Sequence, residues 1–142
     1  MSFLIESHPI DFESLRELLT SSDCGGFVFF EGRVRNHHEG REVVGLHYEA
    51  YLELAQKEGR RLVDEGSRKF GVRAAAIHAV GDLKPGDLAV WVGAAAAHRE
   101  EAFAACRELI DAIKLRVPIW KRETYTDGHG EWIEGCRCAS PH

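Results

Sequence analysis

Long hydrophobic runs are missing from this sequence. The longest, such as AVWVGAAAA, fall far short of the roughly 20 residues that a membrane-crossing helix needs. The opening MSFLIESHPIDFESL has no basic segment leading into a long apolar stretch, so no signal peptide is expected and the cytoplasm is the expected location. An excess of positive charge is missing too. Eighteen Lys and Arg stand against 23 Asp and Glu, and the net charge of −5 argues against general affinity for nucleic acid or an anionic membrane. Cysteine is scarce: Cys24, Cys106, Cys136 and Cys138 are the only four, and in a cytosolic chain they are expected as reduced thiols. Cys136 and Cys138 form C-x-C with His142 behind them. No second pair of ligands follows at zinc-site spacing, so exposed thiols are the better reading and no metal is expected. Repeats, low-complexity tracts and linkers are absent as well. The 142 residues read as one domain, 1–142, with a short tail from about residue 135. Such a length buries roughly 68–70% of the unfolded chain's surface without a covalent staple.

What is present is an irregular mixture of helix and strand patterns. HPIDFESLRELLTSSDCGG reads as a short helix with Asp11 as its N-cap and Gly25-Gly26 as its stop. FVFFEGRV (27–34) is β-branched and aromatic and reads as a strand, followed by the polar loop RNHHEGRE with Gly40 as punctuation. VVGLHYEAY (43–51) reads as a second strand, with Leu46, Tyr48 and Ala50 on one face. A helix over 52–70 carries the stripe Leu52, Ala55, Leu62, Val63 and Phe70, weakened by Gly59 and Gly66. VRAAAIHAVGDLKPGD reads as a strand turning at Pro85-Gly86, and LAVWVGAAA as another. The clearest helix is HREEAFAACRELIDAIK, with Ala102, Phe103, Cys106, Leu109, Ile110 and Ile113 at helical spacing and Lys114 closing it. IWKRETYT and EWIEG then form a hairpin around residues 127–130. Strands and helices in this order predict an α+β fold with a mixed or antiparallel sheet.

Positive charge is scarce overall but concentrated locally. Arg33, Arg35, Arg41, Arg99, Lys114, Arg116, Lys121 and Arg122 are eight of the eighteen cations, and they fall in three short stretches. A helix N-terminus attracts phosphate, and His98-Arg99 at the start of the best helix would complete such a site. Lys114 and Lys121 are seven residues apart, which on one helix would put them on one face. Pro118 forbids that: it lacks a backbone N–H and pushes Val117 towards extended geometry, so the helix ends before it. Lys114 then belongs to the helix and Lys121 to the following strand. The turn between them brings both ammonium groups towards a cavity lined by Ile110, Pro118 and Trp120. Two cations in an apolar wall lower each other's pKa, which suits acid/base work or holding an anion. The plainer alternative is that both lysines point to water and their stems cover Trp120.

FFEGRVRNHHEGR, LHYEAY, HAVGDLKPGDLAVWVGAAAAHREEAF and IKLRVPIWKRE together resemble the large, catalytic subunit of molybdopterin synthase, over about residues 25–134. The order of V-R-x-H, A-H-R-x-x-A-F and K-x-R-x-P-x-W-K-R-E makes the resemblance specific. It implies a hammerhead-type α+β fold. It also implies conversion of cyclic pyranopterin monophosphate to the molybdopterin dithiolene, in molybdenum cofactor biosynthesis. Sulfur arrives as a thiocarboxylate on the C-terminal Gly-Gly of a small ubiquitin-like carrier subunit whose tail threads into a pocket. The implied assembly is a homodimer with a carrier at each end, a heterotetramer, and no metal or other cofactor takes part. On this resemblance Lys114 and Lys121 are the catalytic residues. Arg35, His98 and Arg99 bind the phosphate and line the pocket with Phe30 and Ile110. An arginine that reaches across the dimer after the last strand finds its nearest counterpart in Arg137. This chain does not end in Gly-Gly, so the carrier is expected as a separate chain. Two other readings stay open: a non-catalytic module that binds a phosphate or a carboxylate tail, and, disfavoured by the acidic balance, RNA binding.

Overall fold

The structure, a computed structural model, describes residues 3–133. In chain order the elements are β1 (Phe3–Ser7), α1 (Phe12–Leu19), β2 (Gly26–Arg33), β3 (His37–His38), β4 (Arg41–Ala50), α2 (Leu52–Phe70), β5 (Arg73–Leu83), β6 (Leu88–Ala96), α3 (Arg99–Arg116), β7 (Ile119–Tyr125) and β8 (Gly130–Ile133). The expected α+β class with a mixed sheet is what forms. The sheet runs β2-β6-β5-β4-β7-β8, antiparallel throughout, with β1 added parallel to β5 and β3 paired to β4.

β5 joins the two halves of this sheet. Its first residues, Arg73 to His78, pair with β6 on one side, and Ala76 to Val80 pair with β1 on the other. From Gly81 to Leu83 it pairs with β4 instead. Gly81 marks the change with a φ of 98°, a conformation that side-chain-bearing residues rarely adopt.

Side-chain alternation along β5 and β6 sends small and β-branched residues to both faces. Ala75, Ile77, Ala79, Ala89, Trp91 and Ala95 pack with Leu15 and Leu19 of α1. Ala76, Val90, Val92 and Ala94 pack on the other face, against Ala55, Leu62 and Val63 of α2 and Ala102, Ala105, Cys106, Leu109, Ile110 and Ile113 of α3. The sheet is therefore covered by one short helix on one side and two long ones on the other.

Several expectations shift. β1 carries no alternation that separates it from a disordered start, yet Phe3 is fully buried and paired next to the central strand. α1 has the expected N-cap, with Asp11 accepting from Ser14 N at 3.3 Å, but it stops at Leu19. Thr20 ends it, its hydroxyl donating to Arg16 O at 2.9 Å. Gly25-Gly26 therefore serve another purpose. A Cβ on Gly26 would stand 2.9 Å from Arg99 Cα, so the pair lets β2 pass closely beneath the start of α3. Phe103, placed on the buried stripe of α3, is 61% exposed, and Ala105 takes the inward position. Leu52, placed on the stripe of α2, is 53% exposed. α3 continues past Lys114 to Arg116.

Gly59 and Gly66, equal in sequence terms, differ in space. A Cβ at Gly59 would run into the buried Phe3 ring, whereas a Cβ at Gly66 meets nothing within 4 Å. Gly66→Ala should raise stability by up to about 1 kcal/mol through helix propensity. Gly59→Ala should lower it by about 1–3 kcal/mol through overpacking against Phe3. Denaturant unfolding of the two variants checks the contrast, and equal shifts of the same sign would contradict it.

Candidate functional site

The site begins with the end of α3. Val117 is its C-cap with φ −76° and ψ 126°, the extended geometry that a following proline imposes. Val117 N still donates to Ile113 O at 3.1 Å, which closes the last turn before the chain reverses. β7 then starts at Ile119 and lies against β4, with Ala50 opposite Ile119 and Tyr48 opposite Lys121. Pro118 O accepts from Tyr51 N at 3.2 Å and fastens this turn to the entry of α2.

Between the end of α3 and the strands lies a cavity of about 260 Å³. Its lining includes Tyr48, His78, Ile110, Lys114, Trp120 and Lys121. The two lysines do converge from separate elements on one partly apolar hollow, with Ile110 and Trp120 in its wall as expected. Pro118 is not part of that wall; it is fully buried beneath the turn and acts only through its geometry.

The lysines are not equivalent. Lys114 stands exposed at the last turn of α3, where its charge also suits the helix dipole. Lys121 is half-buried. Desolvation pushes its pKa down, the Lys114 charge pushes it further in the same direction, Arg35 adds to this, and Glu123 opposes it. Glu123, two residues along β7 on the same face, is a buried carboxylate that accepts from Tyr125 Oη at 3.0 Å.

Two neutral groups complete the hollow. His78 is buried, and its pKa is pushed down to about 4, first by burial and then by Lys114 and Lys121. Its Nδ1–H donates to Ala79 O at 2.7 Å, which fixes the tautomer with a lone pair on Nε2. The Tyr48 ring meets the imidazole edge-on with centroids 4.9 Å apart. Burial pushes the Tyr48 phenol up to about 12, so it keeps its proton.

The other residues singled out in the sequence lie elsewhere on the chain. Arg35 is exposed after β2, beside a shallow hollow with His37 and Pro85, and its charge reaches Lys121. Phe30 is 40% exposed on the outer strand β2, which among the described residues pairs only with β6. His98 is the N-cap of α3 and makes no side-chain capping bond; Arg99 follows it, exposed. Arg99 and Lys114 sit fifteen residues apart on one continuous helix, roughly 22 Å at ~1.5 Å per residue. One chain therefore does not bring His98 and Arg99 to the lysine cavity, whereas the Phe30 ring lies by Gly32 close to Val90, a residue of the cavity wall. Arg137, Cys136, Cys138 and His142 lie outside the described residues.

Sequence reasoning missed Tyr48, His78 and Glu123 as members of the site. A signal existed for His78: it is the one polar residue in the strand core AAAIHAV, where a histidine needs a reason to be buried. Among the described residues, no three His, Cys, Asp or Glu side chains gather in a group able to hold a metal, and no helix is long and apolar enough to cross a membrane.

Comparison with known proteins identifies the family. A family model described as MoaE protein matches residues 5–116. The molybdopterin synthase catalytic subunit of Pyrococcus abyssi is 45% identical over 132 residues, covering 91% of this chain and 88% of that protein. That of Thermoplasma volcanium is 44% identical over 111 residues, covering 78% of this chain and 81% of that protein. The crystal structure of molybdopterin synthase from Staphylococcus aureus superposes with a TM-score of 0.86 at 34% identity, covering 92% of this chain and 95% of that one. By sequence and by fold, the chain belongs to the MoaE family of molybdopterin synthase catalytic subunits.

Proposed function

We propose that the cavity between α3 and β7 is where this chain carries out the family's sulfur transfer, with Lys114 and Lys121 as its catalytic residues. One observation carries the reading: two lysines from different elements line one partly apolar hollow, and the charge of the inner one is desolvated. Cyclic pyranopterin monophosphate brings a phosphate, and the carrier's Gly-Gly tail brings a thiocarboxylate. A site that joins two anions needs concentrated positive charge, which this acidic chain supplies here. The thiocarboxylate sulfur adds to an electrophilic side-chain carbon of the precursor, and an oxygen substituent of that carbon leaves with a proton. A carbon–sulfur bond thus replaces a carbon–oxygen bond, and the sulfur links that carbon to the carrier's acyl group. Water then breaks that acyl–sulfur link, leaving sulfur on the pterin and a free carboxylate on the carrier. Each carrier delivers one sulfur in this way. Lys114 holds the anionic tail at the mouth. Lys121, with its pKa lowered, exchanges the protons that these steps require.

The phosphate cluster fits this reading through a second copy of the chain. His98 and Arg99 lie roughly 22 Å along α3 from Lys114, so within one chain they cannot grip a substrate held at the lysines. In a homodimer that sets the start of one α3 against the partner's cavity, both clusters act on one substrate, with Phe30 and Arg35 beside them. A separate carrier at each cavity makes the heterotetramer. Cys24 and Cys106 stand as free thiols, which supports work in the cytoplasm.

Turnover of purified protein with thiocarboxylated carrier and the cyclic precursor tests the assignment, with the dithiolene product as readout. Lys114→Ala and Lys121→Ala should each lower the rate about 100-fold or more while the carrier still binds. Unchanged turnover would leave only a binding module. Mixing tests the shared site. Arg99→Ala and Lys121→Ala proteins, each inactive alone, should regain about a quarter of wild-type activity when their protomers reassort at random, because a mixed dimer keeps one intact site. No recovery from verified mixed dimers would place both clusters in the same chain's site.

A further inference from the structure

The cavity holds one feature that positive charge does not explain. His78 spends its only proton on Ala79 O and leaves Nε2 as a lone pair with no partner among the described residues, in a wall shared with Lys114 and Lys121. Protonated lysines only donate hydrogen bonds, and Val90, Ile110, Ile113 and Val117 offer none from their side chains. Among the lining side chains, His78 Nε2 and Tyr48 Oη are thus the standing neutral acceptors. An anion gains nothing from a lone pair. An N–H donor does, and one sent into apolar surroundings without an acceptor loses about 1–3 kcal/mol, a roughly 5- to 150-fold penalty in binding.

We propose that His78 accepts a backbone N–H of the carrier's C-terminal tail, and that this bond seats the terminal anion between Lys114 and Lys121. The inference rests on the reading above, that the tail enters this cavity. The chemistry of the tail matches the wall. Its two glycines carry no side chains, so a hollow of about 260 Å³ admits them. Each glycine has an amide N–H close behind the terminal anion, and the wall offers a neutral acceptor, His78, beside the two cations. The imidazole keeps this role because burial and the two lysines hold it neutral, and a protonated ring would have no lone pair to offer. Tyr48, edge-on at 4.9 Å, braces the ring plane. His78 is then a binding and positioning residue, distinct from the lysines that handle protons.

The test replaces the donor without changing the tail's shape. Carriers are prepared with glycolate in place of the last or the penultimate glycine, which exchanges the amide N–H for an ester oxygen. Their affinity for the wild-type protein is measured by calorimetry with ordinary carboxylate ends, so that turnover plays no part. One of the two esters should bind about 5- to 150-fold more weakly than the amide. The same ester should lose little further affinity against His78→Phe, while His78→Gln, which keeps a side-chain acceptor, should restore part of the discrimination. Equal affinity of amide and both esters for the wild type overturns the inference even if His78→Phe does not fold. An ester penalty of the same size in His78→Phe and wild type also overturns it. If deleting both glycines leaves affinity unchanged, the tail does not enter the cavity and the underlying reading falls first.

Discussion

The arrangement depends on the peptide geometry that Pro118 imposes on Val117. Without it, α3 would carry Lys114 and Lys121 on one continuous face, two turns apart and both towards solvent. With it, the helix stops at Arg116, the chain reverses within two residues, and β7 returns along β4. The reversal places Lys121 opposite Tyr48 and leaves a hollow against the end of α3. Burial of Val117 and Pro118 makes this turn part of the core, so the spacing of the two amines is set by packing rather than by flexible side chains.

Electrostatics then separates the roles of two chemically identical residues. Lys114 stays in water at the end of a helix dipole that favours its charge. Lys121 stands further in, where burial and the neighbouring cation both disfavour its charge and Glu123 moderates the effect. The net result is a Lys121 ammonium that gives up its proton more readily than an exposed lysine does. The neutral His78 and Tyr48 beside it show that the hollow is not simply a basic patch. It carries charge at its mouth and directional hydrogen bonding in its wall.

Much of this was legible in the sequence, and the reasons are local. Proline geometry is a property of one residue, so the split of Lys114 and Lys121 between helix and strand follows from Pro118 alone. The strands 27–34 and 88–96 and the helix of 52–70 likewise announce themselves through composition or period. What was not legible depends on distant partners. Phe3–Ser7 becomes a strand only because β5 offers a free edge. Gly59 is required because the Phe3 ring lies over it, while Gly66 is not. Phe103 and Leu52 fit apolar stripes yet face outward, since the stripe of a helix shows which residues are apolar and not how wide the covered face is. His98-Arg99 and the lysines read as one site in the motif order, but the length of α3 holds them apart in any single chain.

The central claim is that the turn at Pro118 couples the two amines through a partly desolvated cavity. Titration of Lys121 alone tests it most directly, by NMR of a selectively labelled Cε in the intact protein and in Lys114→Gln. The account predicts a midpoint below the usual lysine value of about 10.4 in the wild type. In Lys114→Gln it predicts a partial return towards that value, partial because burial is the larger cause. A Lys121 that titrates normally, or a depressed value that does not respond to loss of the Lys114 charge, would contradict it.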